Sequence, residues 1–229
     1  MGYRGVFVTA TDTGAGKTAV TAGIAAVLRK RGVDVGVFKP VSSGGTADAR
    51  CLAGAAGVAD ALEFVNPVRL DAPLSPNVAA ELEGRQVPLK PIDDAYSRLT
   101  RLHDLVLVEG VGGLLVPLRD DFLVADLARR LDLPLLVVAR AALGTINHTM
   151  LTLEAAHRRK LEVIGVVYNT TGPGDPRAAR TSPDVIHRLS GVRSLGIVPF
   201  DPRVDVDAGN PGRLPDLIEQ HVDLDGVFF

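Results

Sequence analysis

The chain has 229 residues, which is enough for one domain, or for two small ones, with a hydrophobic core of its own. Lys and Arg total 25 and Asp and Glu total 27, so the net charge is −2, without the basic excess typical of nucleic-acid or membrane-surface binding. One cysteine excludes an intramolecular disulfide and a multi-cysteine metal site. No signal-peptide pattern opens the chain, and no apolar stretch approaches the ~18 residues of a membrane helix. We therefore expect a cytoplasmic protein with a single domain over residues 1–229.

Short apolar segments alternate with amphipathic stretches of helical length along most of the chain. In chain order the pattern predicts strand 5–9, helix 17–31, strand 35–39, helix 91–102, strand 105–109, helix 121–132, strand 135–139, helix 146–160, strand 163–169, helix 183–190 and strand 194–199. The strand segments are β-branched and continuously apolar, which is typical of strands covered on both faces. The alternation predicts a doubly wound α/β fold with a mostly parallel sheet, in which ligands bind at the carboxyl ends of the strands.

Two segments lack this regular alternation. Residues 40–90 are rich in Pro, Gly and Ala, with a helix predicted from Ser75-Pro76 to Gly84 and a helix start expected near Asp48. Residues 199–229 are rich in Pro, Asp and Gly, with one short helix predicted near 213–222. Apart from those helices, we expect both segments to be irregular.

The strongest functional signal is the segment Thr11-Asp12-Thr13-Gly14-Ala15-Gly16-Lys17-Thr18, which follows a predicted strand and opens a predicted helix. Glycines in such a loop let backbone amides approach phosphates, and the helix N-terminus stabilises negative charge. Lys17 is expected to reach the β- and γ-phosphates, and the Thr18 hydroxyl to bind Mg²⁺. Thr11 stands where the common pattern has its first glycine. The context predicts nucleotide contacts from Gly14, Ala15, Gly16, Lys17, Thr18 and Ala19.

Charged residues stand at the ends of two other predicted strands and near the start of a helix. Glu109 precedes a glycine-rich turn, at the position where an NTPase holds its second metal ligand. Lys39 is followed by a loop of small residues that could enclose an anion. Asp48 falls in the first turn of an expected helix, where the helix dipole favours a carboxylate. For each of the three, an ordinary solvated or dipole-stabilised charge is the alternative.

Two further candidates are polar residues beside predicted helices and turns. Asn169 ends the segment 163–169, and its amide offers the donor and acceptor that adenine recognition needs, although it could equally begin a turn. Residues 144–148 open a helix, whose N-terminus could bind a carboxylate or phosphate, or could be an ordinary cap.

Taken in order, these segments resemble the dethiobiotin synthetase family over residues 5–201. The matching segments are Thr11-Asp12-Thr13 before Gly16-Lys17-Thr18, Lys39-Pro40-Val41 with Ser43-Gly44, Ser75-Pro76, Val108-Glu109-Gly110 with Gly112-Gly113, Leu143-Gly144 with Ile146-Asn147-His148, and Asn169. Each is a weak signal alone, whereas the ordered set is specific. The resemblance implies a P-loop NTPase fold and a ligase that forms carbon–nitrogen bonds in biotin biosynthesis.

The resemblance also implies the reaction and its participants. The implied substrates are 7,8-diaminononanoate, CO₂ and ATP, with Mg²⁺ as cofactor. One substrate amine takes up CO₂ as a carbamate, and a carbamate oxygen attacks the γ-phosphate to give a carbamic–phosphoric anhydride. The second amine then displaces phosphate and closes the cyclic urea. The family is also a homodimer in which each active site is shared between two subunits.

Individual roles carry over by position. The implied catalytic residues are Lys39, Lys17 and Thr13. The implied metal ligands are Thr18, Asp48 and Glu109, which also belong to the nucleotide site. The other implied nucleotide contacts are Gly110, Val111, Gly112, Asn169, Thr170, Pro199, Phe200 and Asp201. The implied substrate contacts are Ser43 and, at the helix start that meets the partner subunit's substrate, Gly144, Thr145 and Asn147.

The chain departs from the family pattern at Gly14, where the family has an acidic residue, and at Ala10, where it has a glycine. Two other classes compete with this interpretation. P-loop ATPases that act as dimerisation switches tend to carry an additional lysine early in the loop, where this chain has Asp12. The amide-forming ATP-dependent domain of corrinoid biosynthesis usually accompanies a glutaminase domain, for which 229 residues leave no room.

Overall fold

A computed structural model describes residues 4–172 and 176–229 of the chain. In that part of the chain, the strands are β1 (Gly5–Ala10), β2 (Val35–Phe38), β3 (Val41–Ser43), β4 (Val68–Leu70), β5 (Leu105–Glu109), β6 (Pro117–Arg119), β7 (Phe122–Leu123), β8 (Leu135–Arg140), β9 (Val163–Asn169) and β10 (Ser194–Val198). The helices are α1 (Lys17–Lys30), α2 (Ala47–Ala56), α3 (Leu62–Val65), α4 (Pro76–Leu82), α5 (Leu89–Leu102), α6 (Val124–Arg130), α7 (Thr145–Arg158), α8 (Pro176–Ser190), α9 (Leu214–His221) and α10 (Asp225–Phe228).

The central sheet has the strand order β10-β9-β8-β1-β5-β2, and every neighbouring pair in it is parallel. This confirms the predicted α/β fold with a parallel sheet. After β1 the chain crosses to the edge strand β2 and returns to β5, which lies between β1 and β2, whereas β8, β9 and β10 follow one another outward on the other side of β1. The connections that leave the neighbouring strands β1 and β8 therefore run in opposite directions. A crevice opens at the carboxyl ends of the strands at such a point, and ligands of doubly wound folds bind there. The loop that follows β1 is the predicted phosphate loop.

Both faces of the sheet are covered, which explains the continuously apolar strand sequences. Alternate residues of β1 point in opposite directions because side chains in a strand have a period of two. Val6 and Val8 pack in the cluster that contains residues of α1, α2 and α9, whereas Phe7 packs in the cluster that contains residues of α5 and α6. The β1 side chains in both clusters are fully buried, so the phosphate loop begins at the end of a firmly packed strand.

The segment 40–90 is more regular than expected, and this prediction was wrong. It contains β3, β4 and α3 in addition to the predicted α4 and to α2, which begins at Ala47 and so confirms the helix start expected near Asp48. The alanine-rich helix α2 packs on α1 and buries Leu52, while β3 and β4 pair with each other as a separate parallel ladder. Short elements of three or four residues carry too few apolar positions for a periodic signal. The predicted end of α4 is confirmed, since Gly84 follows it with φ +66°.

Two helix boundaries also differ from the prediction. Helix α6 begins at Val124 instead of residue 121 because residues 117–123 form the antiparallel pair β6–β7. Helix α8 begins at Pro176 instead of residue 183 and continues through Pro183, a residue that usually interrupts helices. The short helix expected near 213–222 is α9. None of the helices in the described ranges is both long and apolar enough to cross a membrane.

Candidate nucleotide and reaction site

The phosphate loop joins β1 to α1 with two glycines in the left-handed region, Gly14 at φ +77° and Gly16 at φ +87°. Gly16 must also lack a side chain for steric reasons, because a Cβ there would lie 2.1 Å from Asn169 Nδ2. Lys17 is the first residue of α1 and is mostly buried. Burial lowers the pKa of the Lys17 ammonium. A phosphate in the same pocket would therefore stabilise the charged form of this lysine.

Asn169 lies at the end of β9 and contacts the phosphate loop from the side. Its Nδ2 donates a hydrogen bond to Ala15 O at 3.0 Å, and the residue is buried. The Asn169 amide therefore holds the backbone of the phosphate loop in place. The residue also lies near the position expected for the nucleotide base. The next residue, Thr170, donates its backbone N–H to Val198 O, which ties the end of β9 to β10.

Three strand-end or helix-start residues that are far apart in sequence converge beside Thr18. The Thr18 hydroxyl lies 3.0 Å from Asp48 Oδ1 and 2.9 Å from Glu109 Oε1. The Lys39 ammonium donates to Asp48 Oδ2 at 2.7 Å and to Glu109 Oε1 at 2.6 Å, with Gly110 O at 3.3 Å. We call Thr18, Lys39, Asp48 and Glu109 the reaction cluster. The structure thus brings together the residues that sequence reasoning placed in separate segments.

The reaction cluster is a buried charge pair with an additional carboxylate. Glu109 is 0% exposed and Lys39 only 2%. Burial by itself would lower the pKa of Lys39, but the charges of Glu109 and Asp48 outweigh it and raise that pKa. Burial would likewise raise the pKa of Asp48, and the neighbouring Lys39 ammonium reverses this, so the pKa is lowered. The lysine therefore remains a cation and Asp48 an anion at neutral pH.

The oxygen atoms of the reaction cluster suit a magnesium ion. Mg²⁺ usually binds through one or two carboxylates and substrate phosphates, and it keeps several waters. Glu109 Oε2 is buried and has no hydrogen-bond partner among the described residues, so one carboxylate oxygen remains available. Within residues 4–172 and 176–229, no group of three or more His, Cys, Asp or Glu side chains could hold a metal ion. Thr18 and the two carboxylates are the residues that would hold magnesium here.

A cleft of about 610 Å³ opens above the phosphate loop and the reaction cluster. Its lining includes the predicted site residues Thr13, Gly14, Gly16, Lys17, Thr18, Ala19, Lys39, Ser43, Asp48, Val111 and Gly112. The Ser43 hydroxyl is buried without a hydrogen-bond partner, which leaves it free to bind a polar ligand. The predicted helix start Ser75-Pro76 forms the opposite wall.

The other predicted site residues do not line this cleft. Ala15, Glu109, Gly110, Asn169 and Thr170 are not among its lining residues, and neither are two further groups. Gly144, Thr145 and Asn147 lie at the start of α7, where Thr145 is buried and Asn147 is exposed. Pro199, Phe200 and Asp201 follow β10, and the Asp201 carboxylate accepts hydrogen bonds from the Arg203 side chain and from the Arg213 backbone N–H. Asp201 therefore closes the base of the loop that precedes α9, and these bonds lower its pKa.

Sequence reasoning missed three residues around the cleft. Val206 and Asp207 line it from the loop before α9, a segment without any periodic pattern. Asn66 is fully buried beneath Lys39, and the Asn66-Pro67 dipeptide was its only sequence signal, because Asn-Pro marks a turn. Gly14 is the position where the family has an acidic residue. A Cβ at Gly14 would lie 3.9 Å from Arg140 Nη2, so an arginine lies beside the place that the acidic side chain would occupy.

The fold and the phosphate loop define a P-loop NTPase-type nucleotide-binding protein. Solved structures with this fold include the MinC:MinD cell division protein complex of Aquifex aeolicus, at TM-score 0.59 and 16% identity, covering 91% of this chain and 87% of that one. A ParA family ATPase from Chlorobium tepidum TLS has TM-score 0.58 and 13% identity, covering 95% of this chain and 98% of that one. At these identities the likeness concerns the fold alone.

Sequence comparison identifies the family more narrowly. A family model described as an AAA domain matches residues 4–207. The ATP-dependent dethiobiotin synthetase BioD of Bacillus licheniformis is 41% identical over 226 residues, which covers 96% of this chain and 94% of the relative. The enzyme of the same name from Anaeromyxobacter sp. strain K is 45% identical over 215 residues, covering 92% and 96%. The chain belongs to the family of ATP-dependent dethiobiotin synthetases.

Proposed function

We propose that this chain uses Mg-ATP to close 7,8-diaminononanoate and CO₂ into the cyclic urea of dethiobiotin. The observation that carries this proposal is the buried Lys39 ammonium, which is held between two carboxylates at the floor of a cleft that continues into the phosphate loop. The phosphate-loop motif itself supplies one lysine, whereas this cleft also contains a second buried lysine from outside the loop and a serine hydroxyl without a partner among the described residues. Family membership supplies the identity of the diamine.

The residues of the cleft support each step of the reaction. The Ser43 hydroxyl and the Lys39 ammonium bind the carbamate that forms when one amine takes up CO₂ and loses a proton. A carbamate oxygen then attacks the γ-phosphate, and the bond from that phosphorus to the ADP oxygen breaks. Lys17, Lys39 and the backbone amides of the phosphate loop stabilise the charge on the transferring group, as phosphoryl transfer requires. The second amine attacks the carbamoyl carbon, phosphate leaves, and the ring closes.

Magnesium is the proposed cofactor, held by Thr18, Asp48 and Glu109. When bound, it neutralises charge on the phosphate oxygens. A Glu109→Gln substitution removes the carboxylate charge while keeping the side-chain size. We expect the magnesium concentration needed for half-maximal activity to rise at least about tenfold, since this carboxylate provides a main ligand. An unchanged magnesium dependence would contradict this assignment.

The nucleotide base is proposed to lie beside Asn169, Thr170 and the segment 199–201. The phosphate loop runs toward the ends of β9 and β10, where Asn169 contacts Ala15 O. A nucleotide whose phosphates occupy the loop extends in that direction. Gly110, Val111 and Gly112 approach from the opposite side, since Val111 and Gly112 line the cleft and Gly110 O contacts Lys39.

We further propose a homodimer in which the start of α7 completes the partner's site. Leu143, which precedes the helix, is 96% exposed, and Asn147 and Leu151 continue an exposed face at helical spacing. Such apolar exposure is typical of a contact surface. Backbone N–H groups in the first turn of α7 would bind the diamine's carboxylate, for which a helix N-terminus is suited.

The shared site can be tested by mixing two inactive variants. Asn147→Ala should weaken diamine binding and leave ATP binding intact, whereas Lys17→Ala should disable the nucleotide half. After subunit exchange, each heterodimer would contain one site with both halves intact, so part of the activity should return. A fully active monomer, or no recovery despite proven exchange, would contradict the shared site.

The reaction itself is tested by incubating the protein with ATP, Mg²⁺, bicarbonate and the diamine, and detecting the cyclic urea by mass spectrometry. We expect urea formation, and phosphate release that depends on the diamine. Equal phosphate release with and without diamine, with no urea, would instead favour a switch ATPase, whose fold the MinD and ParA structures share.

A further inference from the structure

Asn66 is a fully buried polar residue that immediately follows α3, and none of the roles above includes it. Its Nδ2 donates to Lys39 O at 2.7 Å and to Val68 O at 3.3 Å, while its Oδ1 accepts from the Ser42 hydroxyl at 2.9 Å. Backbone carbonyls can only accept, so this network also fixes the orientation of the amide. Every one of these bonds lies inside the protein, and the residue is 0% exposed.

The bonds of Asn66 meet the chain where it leaves the main sheet. Phe38 is the last residue of β2 that pairs with β5, and Val41 is the first that pairs with β4. Lys39 lies at this break, and the Pro40 that follows has no N–H to donate. The backbone N–H of Lys39 donates to Val65 O at 2.7 Å, and its carbonyl accepts from Asn66. Segment 65–66 therefore satisfies both backbone polar groups of Lys39 at a point where neither sheet does.

We propose that Asn66 is a positioning residue that aligns Lys39 and Ser43 for the reaction. It holds the lysine backbone through the carbonyl, and it holds the neighbouring Ser42, whose successor Ser43 lines the cleft. Asn66 touches no substrate. The inference rests on the proposed catalytic role of Lys39 and deepens it.

The physical reason for such a device is the flexibility of lysine. A lysine side chain has four rotatable bonds, and its ammonium is directed only as well as its backbone is fixed. Here the ammonium must meet Asp48 and Glu109 within hydrogen-bond distance. In Asn66→Asp the new side chain fills the same space, so no cavity is left in which a water could replace the lost donor at the buried Lys39 carbonyl. Loss of the amide would therefore move the lysine backbone, and misplacement by about 1 Å can cost roughly 100-fold in rate.

The test compares Asn66→Ala and Asn66→Asp with Ser42→Ala. The aspartate has nearly the same shape and still accepts from Ser42, but it has no amide to donate to Lys39. Ser42→Ala leaves the bond from Asn66 to Lys39 in place. Ile186→Ala in α8 is the matched control, because Ile186 is a fully buried core residue in a different cluster, away from the cleft.

We expect both Asn66 variants to lower kcat by about 10- to 100-fold per folded molecule, with the ATP dissociation constant unchanged. Ser42→Ala should lose less, and Ile186→Ala should keep wild-type kcat per folded molecule even though urea unfolds it more easily. If Asn66→Ala does not fold, Asn66→Asp decides the question.

Three results would overturn the inference. Wild-type kcat in the Asn66 variants beside an inactive Lys39→Ala enzyme would remove the positioning role alone. A Lys39→Ala enzyme with wild-type turnover would remove the proposed role of the lysine, and the inference with it. A loss of activity that only follows the unfolded fraction, as in Ile186→Ala, would also assign Asn66 a purely structural role.

Discussion

Strands β2 and β5 carry a charged cluster at each end, and the two clusters differ in how completely their hydrogen bonds are satisfied. At the carboxyl ends, Lys39 and Glu109 belong to the reaction cluster. At the amino ends, His103 precedes β5 and Asp34 precedes β2. The His103 ring contacts Asp34 Oδ1 through Nδ1 at 2.7 Å and Asp60 Oδ2 through Nε2 at 2.9 Å. We call His103, Asp34 and Asp60 the histidine cluster.

In the histidine cluster, both imidazole nitrogens are used. A neutral imidazole has a single N–H and could donate to only one of two carboxylates, so this geometry favours the doubly protonated ring. The reaction cluster keeps one Glu109 oxygen unpartnered, and the nearby Ser43 hydroxyl is also unpartnered. Buried polar groups without partners are costly and are explained best by a ligand that pairs with them. We therefore propose that, of the two clusters on these strands, the reaction cluster is the functional one and the histidine cluster is structural.

The largest effect that would test this contrast is expected from Lys39→Ala. We expect kcat to fall at least about 100-fold, because a preorganised positive charge at the reacting group is lost. The change also leaves a fully buried Glu109 without its cation, so the free energy of unfolding without magnesium should fall by about 3 kcal/mol. Steady-state kinetics and urea unfolding measure the two effects. Turnover near the wild-type value would show that the charge is not catalytic.

An effect of intermediate size is expected when pH changes the charge of the histidine cluster. It should alter the free energy of unfolding and leave catalysis unchanged. Burial would lower the pKa of His103, but its hydrogen bonds to the two aspartate carboxylates outweigh burial and raise that pKa. A raised pKa in the folded state stabilises the protein below the unfolded-state pKa of about 6.5, and the contribution is lost as pH rises through the folded value. As pH rises from about 6.5 through the folded-state pKa, the free energy of unfolding should therefore decrease by about 1 kcal/mol. The decrease is small because Asp34 is largely exposed, and solvent screens its charge.

His103→Gln is the variant that checks this pH dependence. Arg29 faces the same small cavity as His103, Asp34 and Asp60, and its charge does not titrate in this range. The variant should lose the slope above about pH 6.5 while keeping wild-type kcat per folded molecule. A slope that persists in the variant, or a loss of kcat, would remove the distinction between the two clusters.

The smallest effect is expected at an ion pair that belongs to neither cluster. Lys30 Nζ lies 2.6 Å from Glu219 Oε2 and joins α1 to α9, but the lysine side chain is 63% exposed. Exposed pairs of this kind contribute little, because solvent and salt screen them. Lys30→Ala should therefore leave both the urea midpoint of unfolding and kcat close to their wild-type values. A larger effect would show that short ion-pair distance, and not burial, determines the importance of a pair here.

Much of the fold followed from the sequence because its strands are covered on both faces. Continuous apolar segments such as 105–109 and 135–139 left little ambiguity, and β5 and β8 lie where they were predicted. The short elements β3, β4 and α3 could not be recognised, since three or four residues do not establish a period. The start of α8 was also missed, because Pro183 suggested a helix beginning and not a helix interior.

The site was predictable where residues follow strands. Lys39 and Glu109 end neighbouring parallel strands, and their convergence with Thr18 follows from the topology. Asn66 was not predictable, because its role depends on which carbonyl it meets after the chain folds back. The residues expected around the nucleotide base depend in the same way on loop conformation. Sequence could not show that Asp201 binds Arg203 and the start of α9.

Transfer of heavy oxygen from CO₂ to phosphate tests most directly whether the reaction cluster serves the phosphorylation of a carbamate. The enzyme is mixed with unlabelled ATP, the diamine, Mg²⁺ and freshly dissolved CO₂ labelled with heavy oxygen, and the released phosphate is analysed by mass spectrometry before the label exchanges with water. If a carbamate oxygen attacks the γ-phosphate, one labelled oxygen should appear in phosphate for each urea formed, in wild type and in His103→Gln. Urea formation accompanied by unlabelled phosphate would contradict the account.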